Sequence, residues 1–460
     1  MNYNESVRYL LTLGRELASP QQARAAKFDL HNITAICERM GHPERAYATV
    51  HIAGTNGKGS TAAMLASILQ ASGLRCGLYT SPHLLRINER IRLDGVEISD
   101  QEFADTFTRV HAVIEALLTS GTLSAHPTYF ECVTAMAFDF FARANAEIAV
   151  IEVGMGGRLD STNVIVPEVA VITQIDFDHE NFLGHSIEEI AAEKAGIIKS
   201  GAWVVSAAEN PIARQVIQRR AAEQHARLVE IDDACPVSNL SVRDGFYSFG
   251  LALSDQLDDS KPELRIAMPL AGRFQVRNAV TSIAAARLLA QRGFAITPEA
   301  IVRGVESVRW PGRLERLQAR PDVYLDGTHN PAGARELLAF WHEHLAGRRI
   351  HLIYGAMRDK AIDEVAGLLF PQATTVILTQ SPQPRSLSAE ALFQMTSHLA
   401  DSVELVREPG AALERAIEIA LPGDVVFATG SLYLVGDLRR YWNARSGPDC
   451  PDAARNLTAV

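Results

Sequence analysis

Thr49-Val50-His51-Ile52-Ala53-Gly54-Thr55-Asn56-Gly57-Lys58-Gly59-Ser60 decides how the rest of the chain is read. An apolar, β-branched run leads into a Gly-rich loop with one lysine and one hydroxyl, and the alanine-rich segment Thr61 to Ala71 that follows reads as helix. Strand, loop and helix in that order form a phosphate cradle. Glycines let backbone N–H groups approach an anion, and the helix N-terminus adds positive potential. Lys58 then reaches terminal phosphates, and Ser60 or Thr61 can face Mg²⁺. The loop departs from the GxxxxGK[ST] spacing, because Ile52 stands where the first glycine belongs and Gly59 separates Lys58 from Ser60. A Gly-rich turn without ligand is the competing reading. The flanking strand and helix favour ATP.

Bulk composition narrows the class. A length of 460 residues suggests two or three domains, and 47% hydrophobic with 21% charged residues describes an ordinary globular protein with ample core. The net charge of −10, with no basic block, argues against nucleic acid as the partner. Cys37, Cys76, Cys132, Cys235 and Cys450 are scattered and form no CxxC, which fits a reducing cytoplasm without a disulfide frame or cysteine metal site. No signal peptide is read in Met1 to Ser19, and no run approaches the ~20 apolar residues of a membrane span. Ser446 to Val460 reads as a frayed tail.

Apolar β-branched runs alternate with helical patterns almost throughout. Strands are expected at Val50–Ala53, Cys76–Tyr79, Ile148–Val153, Val169–Ile175 and Trp203–Ser206, with helices at Asp100–Leu118, Phe130–Ala144 and Ile187–Ile198. Near-continuous apolar strands in a β/α rhythm mean a doubly wound, mostly parallel α/β sheet covered on both faces. Leu228 to Met268 reads as a small antiparallel excursion, and Asn278–Gln291 and Pro298–Val308 read as helices. After the turn Trp310-Pro311-Gly312 the rhythm restarts. Strands at Val323–Leu325, Ile350–Tyr354, Thr375–Leu378 and Val425–Ala428, with helices at Pro331–His344, Ile362–Phe370, Ala389–Leu399 and Ala411–Ala420, make a second, smaller Rossmann-like domain. Ligands of open α/β sheets bind at the carboxyl ends of strands, so the residues there are the candidates.

Glu152, near the end of the Ile148 strand and before Gly154-Met155-Gly156-Gly157, could hold Mg²⁺ or sit in a structural ion pair. Asp178 and His179 follow the next strand and could add to a metal site or simply be hydrogen-bonded. Lys194 ends a helix ahead of Gly196, where a cation complements the helix dipole and needs no chemistry. In Leu325-Asp326-Gly327-Thr328-His329-Asn330-Pro331, Asn330 suits a helix N-cap and Pro331 the first helical position. Asp326 and His329 are left for a ligand, and Arg313 is placed to swing onto a phosphate.

Taken together, these segments resemble the folylpolyglutamate synthase/dihydrofolate synthase family of the Mur ligase superfamily, from about Tyr9 to Tyr433. Gly54-Thr55-Asn56-Gly57-Lys58-Gly59-Ser60 looks like the family's ATP loop. Ser81-Pro82-His83-Leu84, Asn88-Glu89-Arg90-Ile91, Thr128-Tyr129-Phe130-Glu131, Glu152 to Val164, Asp178-His179, Glu193-Lys194-Ala195-Gly196-Ile197, Pro311-Gly312-Arg313 and Asp326 to Pro331 follow in order. The resemblance implies Ser81, Glu152 and His179 as Mg²⁺ ligands (one ion or two, with a monovalent cation besides). It implies Lys194 as a carbamylated lysine, against the bland reading above. Asn278, Arg313 and Asp326 would contact ATP. Thr128, Tyr129, Phe130, Glu131, Leu159, Asp160 and Ser161 would line a pterin site, and Lys58, Lys194, Arg313 and His329 would form the catalytic set. Three positions depart from the family: Ser161 replaces a usual Ala, Phe274 a common His, and Ala361 a frequent Asp.

The implied reaction is ADP-forming addition of L-glutamate to dihydropteroate, to reduced folates, or to both, through an acyl phosphate. Closure of two facing domains would exclude water from that intermediate. Residues 1–308 would bind ATP and pterin, and residues 309–445 would close over ATP and bind glutamate, in a cytoplasmic monomer. A Mur-type ligase acting on a UDP-muramyl substrate is the nearest alternative, although the 53 residues before Gly54 are few for its sugar-nucleotide domain of about 100 residues. A non-catalytic ATP-binding switch would leave Glu152, His179 and Lys194 without a purpose.

Overall fold

The computed structural model describes residues 1–13, 29–258, 263–358 and 360–446. The tail expected from Ser446 onward lies outside them, apart from Ser446 itself. The chain divides into two compact units, 1–241 with 247–269 and 274–308, and 242–246 with 270–273 and the chain from 309.

The first unit is built on an eight-stranded sheet. Its strands are β1 (Ala48–Ala53), β2 (Cys76–Tyr79), β3 (Ile91–Leu93), β4 (Val96–Glu97), β5 (Ile148–Glu152), β6 (Val169–Ile172), β7 (Trp203–Ser206) and β8 (Arg227–Glu230), in the order β4-β3-β2-β5-β1-β6-β7-β8. From β2 to β8 neighbours run parallel, and β3 and β4 add an antiparallel edge. Every residue of β2, β5 and β6 is buried. That burial on both faces is why they read as unbroken apolar runs.

One face carries Lys58–Ala71, Phe274–Gln291 and Pro298–Ser307. Alanine and glycine let these helices approach closely: a Cβ on Gly304 would stand 2.4 Å from the Ile68 Cα. The other face holds two apolar clusters. One joins Ile151 to Phe103, Phe107, Phe138 and Phe141 of the helices Asp100–Thr119 and Tyr129–Arg143. The second joins Ala53, Ala170 and Ile172 to the helices Ile187–Ala195 and Pro211–Glu223.

Two boundaries differ from the sequence reading for a physical reason. β6 ends at Ile172, because Thr173 and Gln174 leave the sheet to bond the phosphate loop: Thr55 N donates to the Gln174 carbonyl (2.8 Å), and Thr173 Oγ1 to that of Asn56 (2.7 Å). The Ile187 helix stops at Ala195. Gly196 follows in right-handed helical conformation, so it is not a left-handed cap, and its lack of a side chain makes room for Arg158, whose Cβ a Gly196 Cβ would meet at 2.4 Å.

β9 (Val237–Arg243), β10 (Phe246–Leu251) and β11 (Leu264–Ala271) form the small sheet expected between Leu228 and Met268, while β8 joins the main sheet instead. Asp244 and Gly245 both have positive φ (53° and 81°), the backbone of a tight two-residue hairpin. The second unit has six strands, β12 (Glu315–Gln318), β13 (Asp322–Leu325), β14 (Ile350–Tyr354), β15 (Thr375–Leu378), β16 (Val403–Leu405) and β17 (Val425–Thr429), ordered β12-β13-β17-β14-β15-β16. All neighbours are parallel except β12 with β13. Among the described residues no helix is long and apolar enough to cross a membrane.

Candidate active site

Parallel strands β2, β5, β1 and β6 are adjacent, so Ser81, Glu152, the Gly54–Ser60 loop and Asp176–His179 all leave one edge of the sheet at their carboxyl ends. The loop is braced from behind. Thr55 Oγ1 donates to the Asp176 carbonyl at 2.9 Å. Gly54 and Gly57 have φ of 154° and 85°, and neither has room for a side chain: their Cβ atoms would stand 1.8 Å from Thr173 Oγ1 and 2.3 Å from Asn278 Oδ1. Lys58 opens the helix and donates from Nζ to the Gly54 and Thr55 carbonyls, 3.0 Å each.

Asn278 therefore lies against the loop. It donates to Gln275 Oε1 (2.9 Å), and Gln275 in turn donates to Ser60 Oγ (3.3 Å). Gln275 is fully buried. Sequence reading missed Gln275 and Thr173; Thr173 follows an apolar run, and Gln275 sits among other polar residues and gave no signal.

Ser81 and Glu152 come together across β2 and β5, with Ser81 N donating to Glu152 Oε2 at 3.1 Å. Glu152 is buried. His179 stands beyond β1, at left-handed backbone angles (φ 53°), with Nε2 3.8 Å from Asp178 Oδ2. A carboxylate and a hydroxyl in a buried corner are the donors a hard divalent cation takes, and they fit Mg²⁺; an imidazole is a less usual partner for it. Among the described residues no three His, Cys, Asp or Glu side chains form a ready metal cluster.

Lys194 reaches this edge from the last turn of the Ile187–Ala195 helix. Its Nζ donates to the Gly54 carbonyl at 2.8 Å, the same oxygen that Lys58 bonds. Burial, with the Lys58 charge beside it, pushes the Lys194 amine down to about 7, against the pull of Asp178 and Asp160. A buried lysine on a loop carbonyl, mostly neutral just above pH 7, is not the dipole-capping cation that spacing alone suggests.

The segments expected at a pterin meet at the same edge. Thr128 and Glu131 close a capping box on the Tyr129–Arg143 helix: Glu131 N donates to Thr128 Oγ1 (3.2 Å), and Thr128 N to Glu131 Oε2 (2.6 Å). Burial raises the Glu131 carboxyl above its ordinary range. Tyr129 is buried under the Arg90 guanidinium, 5.3 Å from the ring centroid. Phe130 presses on Gly154, where a Cβ would come within 2.5 Å of the ring. Asp160 is buried and accepts Met155 N (2.9 Å), Thr162 N (3.0 Å) and the Thr162 hydroxyl (2.5 Å). Leu159 and Ser161, both half-buried, flank it. Arg158 ties this turn to the Lys194 helix, donating N–H to the Glu193 carbonyl (2.8 Å) and pairing its guanidinium with the Glu193 carboxylate (2.7 Å).

In the second unit, Asp326 and His329 each have hydrogen-bond partners of their own. Asp326 is buried and accepts Leu314 N and Thr328 N, each at 2.9 Å, so it ties the residues after Gly312 to the end of β13. His329 Nδ1 lies 2.8 Å from the Gly327 carbonyl. Arg313 Nη1 donates to the Gly312 carbonyl (3.1 Å), and Gly327 is packed so tightly that a Cβ would fall 2.4 Å from that same nitrogen. Asn330 caps the Pro331–His344 helix by accepting Gly333 N at 2.8 Å.

Comparison with known proteins shows the family. The Mur ligase middle domain family matches residues 52–286, and the Mur ligase glutamate ligase domain family matches residues 312–432. Dihydrofolate synthase/folylpolyglutamate synthase of Bacillus subtilis is 36% identical over 89% of this chain and 94% of its own, and folylpolyglutamate synthase of Lacticaseibacillus casei 34% identical over 96% and 98%. Among solved structures, Mycobacterium tuberculosis folylpolyglutamate synthase complexed with ADP superposes with a TM-score of 0.84 at 32% identity, covering 96% of this chain and 98% of that one. Escherichia coli FolC in complex with DHPP and ADP gives 0.82 at 28% identity, covering 97% and 99%. The chain belongs to the dihydrofolate synthase/folylpolyglutamate synthase family of the Mur ligases.

Proposed function

We propose that this chain is an ATP-dependent ligase that adds L-glutamate to dihydropteroate, to reduced folates, or to both, releasing ADP and phosphate. The observation that carries the reading is the pair of lysines on one carbonyl. Lys58 and Lys194 meet at Gly54, inside a loop shaped for phosphates, at the end of a strand whose neighbour in the sheet ends at Glu152.

A substrate carboxylate attacks the γ-phosphorus, ADP departs, and an acyl phosphate is left. The glutamate α-amine then attacks the acyl carbon and phosphate leaves, so no covalent enzyme intermediate is required. Lys58 neutralises and aligns the phosphates. Ser81, Glu152 and His179 would hold Mg²⁺, which supplies charge neutralisation at the phosphates when bound. Lys194, its amine pushed down to about 7, is partly neutral near that pH, and the neutral amine is the form that can combine with CO₂ to give a carbamate. Asn278 beside the loop, with Arg313 and Asp326 of the second unit, is assigned to ATP. Phe130, Tyr129 and the Leu159–Ser161 turn are assigned to the pterin, with Thr128 and Glu131 shaping the helix start beneath it.

We read the chain as a monomer acting on small molecules in the cytoplasm. Four of its cysteines are buried and unbridged, as a reducing compartment allows. ADP release with ATP, Mg²⁺ and L-glutamate, measured with dihydropteroate in one tube and tetrahydrofolate in another, tests the proposal. Turnover with both means a bifunctional synthase, turnover with one fixes the half, and silence in both would sink it and turn attention to UDP-muramyl substrates.

A further inference from the structure

β1 carries two buried polar side chains, Thr49 and His51, on the sheet face it shares with two apolar clusters. His51 is fully buried, and its neighbours in register, Ile151 and Ala170, belong to different clusters. Above that seam lies the short turn of helix Ser161–Val164. His51 Nε2 stands 2.8 Å from Thr162 Oγ1, and Thr162 Oγ1 stands 2.5 Å from Asp160 Oδ1. Among the described residues His51 Nδ1 is buried without a hydrogen-bond partner. Thr162 is fully buried too.

Proton counting fixes the direction of this chain. If Nδ1 carried the hydrogen, a buried N–H would have no acceptor, which is costly. Nε2 would then need the Thr162 proton, and two oxygens 2.5 Å apart would have a hydrogen between them only if Asp160 took up a proton, which its bonds from Met155 N and Thr162 N oppose while burial favours it. With the hydrogen on Nε2 every contact is satisfied: the imidazole donates to Thr162, and the Thr162 hydroxyl donates to the carboxylate. The orphan is then a bare lone pair on Nδ1, the cheaper of the two to bury. Burial, with Lys199 nearby, pushes the imidazole down to about 3, so it stays neutral. Lys199 itself is held by the Asn163 carbonyl at 3.0 Å.

We infer that His51 is a positioning residue: as the Nε2–H tautomer it sets the Thr162 hydroxyl to donate to Asp160, and so fixes the carboxylate that shapes the pterin-binding turn. Asp160 Oδ2 also receives Met155 N, so the carboxylate joins both ends of the Gly-rich turn to the core histidine. The inference rests on the assignment of the Leu159–Ser161 turn to the pterin substrate.

Two kinds of measurement separate the relay from that assignment. Nitrogen-15 shifts of labelled histidine in the full chain, with the His51 signal assigned by its loss in His51→Gln, should show a neutral ring protonated on Nε2 down to pH 5. An Nδ1-protonated or charged ring would overturn the relay. Kinetically, Thr162→Val should raise KM for dihydropteroate at least about tenfold, the scale of a lost hydrogen bond to a charged group, with KM for ATP unchanged. Thr162→Ser should restore it. His51→Leu should match Thr162→Val, whereas His51→Gln, whose amide nitrogen can take the place of Nε2, should stay near the parent. Asp160→Asn reports on the assignment itself. If it leaves the dihydropteroate KM unchanged, the pterin reading of the turn fails. If it raises that KM while folded Thr162→Val does not, the relay fails. A His51→Leu chain that does not fold leaves the Thr162 pair and the nitrogen-15 shifts to decide.

Discussion

Lys194 shows how far burial changes a residue. In the unfolded chain its amine titrates in the ordinary lysine range, and in the folded chain near 7. The folded state therefore binds fewer protons between those values, and this group's cost to folding is full below about 7 and is relieved as pH rises through the lysine range. Only the neutral amine combines with CO₂. Carbamate on Lys194, read by ¹³C NMR with labelled bicarbonate, should fall away as pH drops through about 7, and a midpoint above 9 would rule out the buried, lysine-flanked setting. Lys58→Ala removes the neighbouring positive charge and should move that midpoint upward. Lys58→Ala and Lys194→Ala should each abolish ligase turnover while leaving the circular dichroism melt intact. Near-normal turnover in a folded Lys194→Ala chain would end its catalytic role. Spacing suggested a dipole-capping cation here, because nothing local in Glu193-Lys194-Ala195 says that the helix end is buried against a loop 140 residues away.

Elements were legible where their environment was uniform. β2, β5 and β7 are interior strands whose apolar runs match their extents to within a residue. The strands that escaped the reading lie at sheet edges or are short: β3 and β4 are an antiparallel margin of three and two residues, β12 is an antiparallel edge, and β16 has three residues and none fully buried. Edge strands face water and keep no hydrophobic signature. The early end of β6 was missed for another reason: Thr173 and Gln174 stand between apolar Ile172 and Ile175, and they are drawn off by bonds to Thr55 and Asn56. Capping, by contrast, is local and can be tested locally. Thr128→Ala should cost about 1 kcal/mol in denaturant unfolding, the usual worth of an N-cap. A rise in the dihydropteroate KM far beyond that cost would show that Thr128 touches the substrate as well as the helix; an unchanged KM would leave it a cap alone.

At the scale of the molecule, the family's motifs are split between units whose ligands are assigned differently, and the second unit's share was the least legible. Asp326 looked like a carboxylate left for a ligand because its two backbone partners, Leu314 and Thr328, come from a turn whose path no spacing rule gives. It now has two competing descriptions. As a nucleotide contact, Asp326→Ala should weaken ATP binding about tenfold or more while dihydropteroate binding, assigned to the first unit, stays near the parent; an Asp326→Asn chain should fall between, since one amide oxygen still accepts. As a brace alone, Asp326→Ala would leave a buried Leu314 N–H and Thr328 N–H without an acceptor, each loss costing about 1–3 kcal/mol of stability. Calorimetric titration beside a denaturant series separates the two. Lost ATP affinity with a preserved unfolding midpoint identifies a contact. An equal fall in affinity for both ligands, tracking the stability loss, identifies a brace and removes Asp326 from the ATP site.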